Sequence, residues 1–253
     1  MEKLILIDDE IKEKFLLISD ILLTDFLELV RNLYGENGKF NTITVSNVDL
    51  TYQKLGKKDI IGAYNIHILI NGKDLSIWRV IFSNIIHLTD GDKTTTYARM
   101  NNEYYLNSTE YELNNKMKIL VKDEQAKKYY FRFEFPNSNI YDVKISCDND
   151  WLLNEPVKIV DYFRNNACDD ISIYELIKII SQFINLKECS IEVKDKLDNY
   201  VFYKNGVLVI EQETIQEGNQ ITTIRRELKE NNYIETKTII NNTEEIKKLI
   251  KRK

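Results

Sequence analysis

Hydrophobic and polar positions alternate with two different periods along this chain. Residues 9–34, "DEIKEKFLLISDILLTDFLELVRNLY", place apolar side chains at Ile11, Phe15, Ile18, Leu22, Phe26, Leu29 and Leu33. That spacing predicts a helix with a wide apolar stripe, stopped near Gly35 and open to a break where Thr24 can cap a second segment. From residue 40 to 147 the period shortens to two. "NTITVSNVDLTYQKL", "IGAYNIHILI", "KTTTYARM" and "KKYYFRFEF" carry β-branched and aromatic residues between the turn signals Asn71-Gly72, Asp90-Gly91 and Asn114-Asn115, which predicts strands joined by hairpins. The stretch "DLSIWRVIFSNIIHL" fits both periods, and its β-branched content favours strand.

Near residue 150 helical spacing returns. Pro156 suits the first turn of a helix through "VKIVDYFRNN". Ser172 and Glu175 stand in capping-box spacing, with Ile171 and Leu176 placed as a hydrophobic staple, ahead of a helix expected to run to about Leu186. A β-meander follows over about 189–240, and "TEEIKKLIKRK" predicts a short terminal helix with acids in its first turn and cations in its last. The expected fold class is therefore α+β: antiparallel β-meanders packed with helices, in the order helix–sheet–helices–sheet–short helix. The chain divides either into two domains near residue 150 (1–150 and 151–253) or forms one continuous body.

Composition narrows the function classes. The 253 residues carry a net charge of −5 with Lys 27 and Arg 8, whereas nucleic-acid readers present a basic, Arg-rich footprint. Scarce Gly, Pro and Ala beside abundant Tyr, Ile, Asn and Lys are the codon bias expected of an AT-rich genome, whether of a low-GC bacterium, its phage, or an AT-rich eukaryote or virus. Cys147, Cys168 and Cys189 are odd in number and lack CxxC spacing, so they read as buried free thiols in a reducing compartment. The N-terminal apolar run is four residues long, too short for a secretory signal, and no apolar run reaches membrane-spanning length. A cytoplasmic protein is expected, with no cofactor, no direct nucleic-acid partner and no membrane partner.

Catalytic motifs are missing: there is no Walker A pattern, GxGxxG, GxSxG or HExxH. His87 and Thr89 in "NIIHLTDGDKTT" would share a strand face. In this they resemble the catalytic pairs of two-histidine phosphoesterases, but the second histidine, His67, sits in "HIL", where Leu69 stands in place of the hydroxyl residue. "CDNDW" has two carboxylates at calcium-loop spacing but lacks the glycine and the distal glutamate. Tyr-rich strands such as "NNEYYLNSTEYEL" lie among acids, against a stacking surface for single-stranded nucleic acid.

The meander carries the remaining signal. A two-residue turn at Asn205-Gly206 would set Tyr203 opposite Leu208, Val201 opposite Ile210, Phe202 opposite Val209 and Lys204 opposite Val207, with both faces apolar and covered near the turn. Farther on, Glu211 and Glu213 share a face, as do Arg225 and Glu227, and Glu235 and Lys237. "TTIRREL" and "IETKTI" resemble the closing strands of fatty-acid-binding β-barrels. That resemblance implies a carboxylate-binding Arg and Tyr on a final strand, for which this chain substitutes a helix. The favoured reading is a non-enzymatic, acidic, cytoplasmic protein-binding module, of the kind represented by immunity proteins and phage-encoded inhibitors. Its partner-binding residues would be Glu211, Glu213, Arg225, Glu227, Glu235 and Lys237, and its partner a protein with a basic surface. The alternatives are a small-molecule or lipid carrier built on a curved sheet and a phosphoester- or nucleotide-acting enzyme centred on His87.

Overall fold

The computed structural model describes residues 4–7, 9, 11–18, 42–70, 72–101, 103–124, 127–137, 139–147 and 155–240. The strands are β1 (Leu4–Ile7), β2 (Thr42–Leu55), β3 (Lys58–Ile70), β4 (Lys73–Val80), β5 (Ile85–Asp90), β6 (Lys93–Met100), β7 (Glu103–Glu112), β8 (Lys118–Asp123), β9 (Lys128–Glu134), β10 (Ile140–Cys147), β11 (Cys189–Asp195), β12 (Tyr200–Lys204), β13 (Val207–Glu217), β14 (Gln220–Lys229) and β15 (Asn232–Ile240). All fifteen are hydrogen-bonded in chain order. β1 joins β2 in parallel, and the sheet from β2 onward is antiparallel. Among the described residues helices are few and short: α1 (residues 11–18), α2 (Glu155–Asn165) and α3 (Ile173–Ile180).

This corrects the expected α+β class. The protein is a long antiparallel meander, not strands and helices in comparable layers. Tight turns keep almost every strand beside its predecessor, and the helical insertions between β1 and β2 and between β10 and β11 return the chain to the edge it left. The ambiguous stretch 74–88 is two strands, β4 and β5, joined by a turn at 81–84. α3 ends at Ile180, short of Leu186. The predicted terminal helix, the second half of the predicted first helix and most of "CDNDW" lie outside the described residues.

The chain forms two compact units, Met1–Thr109 and Glu110–Lys253, and β7 spans the division. In the first unit, Tyr64, Ile66, Ile68 and Ile70 of β3 meet Leu75 and Ile77 of β4, with Phe15 and Ile18 of α1 in the same core. In the second, odd-numbered residues of neighbouring strands share one face: Phe131 and Phe133 on β9, Val143 and Ile145 on β10, Ile191 and Val193 on β11, and Val201 on β12. Ile159, Val160 and Phe163 of α2 and Leu176, Ile177 and Ile180 of α3 are buried in the same cluster. Period-two strands meet period-3.6 helices over one apolar layer.

Cys147 and Cys189 are opposite one another at the ends of β10 and β11 and form a disulfide. The Cys147 N–H donates to the Lys127 carbonyl and the Cys189 carbonyl accepts from the Asn205 N–H. Both peptide groups therefore point away from the β10–β11 seam, leaving the pair at a close, non-hydrogen-bonded position. The expectation of free thiols holds for Cys168 alone. Spacing along the sequence hides the pairing because the two cysteines stand 42 positions apart, on either side of the α2–α3 insertion, and only strand register brings them together. Closing a loop of that length restricts the unfolded chain by at most about 4 kcal/mol. Reductant, or the double substitution Cys147→Ser/Cys189→Ser, is expected to lower urea-unfolding stability by up to that amount, whereas Cys168→Ser leaves it near wild type.

Candidate functional site

The candidate site lies where the helix-covered core of the second unit ends. Tyr203 of β12 opposes Leu208 of β13 as the turn predicts, but the register then slips by one residue between Phe202 and Tyr203. Val201 consequently opposes Glu211, and Phe202 opposes Ile210. The sequence expectation, Val201 opposite Ile210 and Phe202 opposite Val209, fails because a β-bulge adds one residue to β13 and exchanges its faces. Without the bulge Ile210 would continue the apolar layer beneath the helices. With it, Glu211 and Glu213 emerge on the helix side, and the face is not covered as expected.

These carboxylates border a cleft of about 410 Å³ at the start of α3, lined by Tyr141, Tyr174, Asp195, Asn199, Glu211 and Glu213 among others. Its walls are pre-organised. The Tyr141 hydroxyl donates to the Ile171 carbonyl at 2.7 Å, and the Tyr174 hydroxyl donates to Glu211. Asp195 accepts from the Leu197 N–H and the Asn199 N–H, while the Asn199 side chain donates to Asp195 at 2.7 Å and accepts from the Thr214 N–H at 2.7 Å. Burial, with Asp170 nearby, pushes the Tyr141 phenol up to about 12. Burial and then the Glu211 hydrogen bond push the Tyr174 phenol upward. Both therefore remain neutral donors at physiological pH, in a cleft whose carboxylates outnumber its cations.

Two turns set which charges meet beyond the cleft. Gly218-Asn219 pairs Glu217 with Gln220, which aligns Glu211 with Arg226; Glu230-Asn231 pairs Lys229 with Asn232, which aligns Arg226 with Glu235. Arg226 Nε donates to Glu235 at 2.8 Å and Nη1 to Glu211 at 3.2 Å. Those carboxylates, Glu235 foremost, hold the guanidinium above its ordinary value. Glu211, Glu213, Glu235 and Lys237 thus share one face, with Arg226 between them. Arg225 and Glu227 point to the other face, where Arg225 donates to Gln212 at 3.3 Å. The sequence reading grouped residues within each strand and missed Arg226. Adding the numbers across each two-residue turn would have found it, since partners across Gly218-Asn219 sum to 437.

In the first unit, register places Asn65 and His67 (β3), Ser76 and Trp78 (β4), His87 and Thr89 (β5) and Thr94 and Thr96 (β6) on one face. His87 Nδ1 lies 3.0 Å from Thr96 Oγ1, and its ring is 4.9 Å from that of Trp78. His67 Nε2 lies 3.2 Å from Asn65 Nδ2, and Ser76 donates to Asn65 at 2.6 Å. His67 and His87 share a face but stand two strands and one side-chain row apart, about 12 Å between Cα atoms at standard strand spacing. Each imidazole is engaged by its own neighbours rather than turned toward the other. Among the described residues no cluster of three or more His, Cys, Asp or Glu is placed to hold a metal ion, and no helix is long and apolar enough to cross a membrane.

No protein-family model and no curated protein matches this chain. Among solved structures it is similar to a porin-like protein from Bacteroides uniformis at 7% identity, over 77% of this chain and 82% of that one, with a TM-score of 0.20. A superposition that loose carries no argument.

At the cleft's rim, the capping box of α3 is formed. The Ser172 N–H and hydroxyl both donate to Glu175 at 2.8 Å, and the Glu175 N–H donates back to Ser172 Oγ. The Ser172 backbone N–H first, then its hydroxyl, lower the Glu175 carboxyl below its ordinary value. A lowered native value adds stability above the unfolded value, lost as pH falls through the native one. Glu175→Gln should therefore lower the melting temperature at neutral pH, and thermal melts down a pH series should show that deficit closing below the carboxylate range, about 4.

Proposed function

We propose that this protein is a non-enzymatic binding module that recognises a protein partner through the charged face of β13–β15. The observation that carries the reading is that no residue from 202 to 240 is buried. Three strands totalling thirty residues enclose no core of their own. A sheet of this kind adds surface without adding a packed interior, and its side chains answer to what lies outside it.

The face beside α3 offers Glu211, Glu213 and Glu235 against Arg226 and Lys237, and the adjoining cleft adds Asp195. That excess of carboxylate suits a partner with a basic surface, such as the substrate groove of a nuclease, because complementary charge accelerates encounter and excludes wrong partners. The cleft would receive a cationic side chain, with Tyr141 and Asn199 as fixed polar walls. Exposed aromatic and aliphatic groups on the ribbon, Tyr233, Ile234 and Ile239, supply apolar contact beside the ions. A cytoplasmic site of action, as in immunity or inhibitor proteins, would require the Cys147–Cys189 pair to be held as thiols, which alkylation in cell lysates reads directly.

The test is a pull-down from source cells followed by titration of the recovered partner at several salt concentrations. Glu211→Lys/Glu213→Lys is expected to weaken binding at least tenfold and to flatten its salt dependence, with folding checked by circular dichroism. If affinity and salt dependence stay at wild type, the charged face is not the binding surface.

A further inference from the structure

β15 ends the strand order and, among the described residues, pairs with β14 alone. It runs nine residues with no proline and no bulge, in unbroken register from Lys229↔Asn232 to Ile221↔Ile240. All its side chains but Ile240 are exposed. Natural edge strands are usually short, kinked or protected by inward charges, since a long regular edge is a template for another strand. Among the described residues β15 is neither short nor kinked, and the two charges it carries, Glu235 and Lys237, are of opposite sign and so can satisfy one another across a strand pair.

Its backbone is also phased for pairing. Glu230 and Asn231 form a two-residue turn with positive φ of 49° and 70°, so the closing pair Lys229/Asn232 exchanges hydrogen bonds and even-numbered residues of β15 bond inward. The peptide groups of Tyr233, Glu235, Lys237 and Ile239 face the open edge.

The sequence "NYIETKTII" is complementary to itself. A two-fold axis normal to the sheet sets a second β15 antiparallel to the first and keeps like faces together, so the numbers of opposed residues have a constant, even sum. Centred on Glu235, that arrangement opposes two glutamates. Centred on Lys237, it opposes two lysines. Centred on Thr236, it sets Glu235 opposite Lys237 of the second copy, and Lys237 opposite Glu235. In the same register Tyr233 opposes Ile239 and Ile234 opposes Thr238, each twice. Opposite charges and aromatic–β-branched pairs are favourable across strands, and like charges are not. Glu235 would then lie between Arg226 of its own chain, at 2.8 Å, and Lys237 of the other. The row Glu211–Arg226–Glu235 would thus continue with alternating sign.

We propose that β15 is a homodimerisation edge: two copies pair antiparallel about Thr236, joined by about eight backbone hydrogen bonds and two reciprocal Glu235–Lys237 pairs. The proposal concerns the edge of the ribbon and does not depend on its face binding a partner. Sedimentation velocity across a concentration series tests it. Wild type is expected to show a species of twice the chain mass. Glu235→Lys alone sets Lys against Lys, and Lys237→Glu alone sets Glu against Glu; each is expected to self-associate at least tenfold more weakly. Lys237→Glu keeps the Arg226–Glu235 bond, so it separates lost pairing from a disturbed ribbon. Mixed one to one, the two variants set a strand with lysine at both positions against a strand with glutamate at both, and a mixed dimer should return. A monomeric wild type, dimerisation of either single variant at wild-type strength, or a mixture that stays monomeric would each overturn the proposal.

Discussion

Side chains in a strand alternate between two faces with a period of two, so each inserted residue reverses the faces of everything paired beyond it. In the second unit this parity decides where the core stops. Odd-numbered positions from β9 to β12 carry the apolar layer beneath α2 and α3. The bulge in β13 then exchanges the faces, so that Ile210 turns away from the helices and Glu211 turns toward them. Hydrophobic cover ends where the sheet turns a carboxylate, in place of an apolar side chain, toward the helices.

That junction accounts for several neighbouring features. Tyr174 at the start of α3 meets a carboxylate where an aliphatic side chain would otherwise lie. Asn199 ties the β11–β12 turn to the backbone of β13 through Thr214 and so supports the strand just past its irregularity. The Cys147–Cys189 bridge closes the opposite end of the same insertion, at the seam from which the helices depart. The helical pair is thus pinned at its root by a covalent link and at its tip by a capping box and a phenol.

Local chemistry was legible in the sequence. The Ser172/Glu175 box, Pro156 at the head of α2 and the Tyr203–Leu208 pairing all depend on residues close in the chain, and the structure contains each of them; the hairpin signalled by Asp90-Gly91 also forms, with its turn one residue later at Gly91-Asp92 because Asp90 pairs with Lys93. What failed depends on distance or on counting. The helix-packed class was wrong because apolar stripes reveal that helices exist but not how small a share of the chain they form beside fifteen strands. The disulfide was missed because its partners meet only through register. Arg226 was missed because faces were assigned strand by strand without carrying the numbering across the turns. The bulge has no evident local signal: "VLVIEQ" reads as an unbroken strand.

A ribbon without an interior has a further consequence for how its sequence can change. In a packed core each substitution must suit its neighbours' volume, but β13–β15 are held by backbone pairing that is nearly indifferent to side-chain identity. Their stability is borrowed from the unit they extend, passed outward strand by strand, and should decline toward the edge. Residues there can therefore be exchanged with little effect on folding. This leaves the ribbon free to change in sequence while the helices and the bridged strands behind it stay fixed.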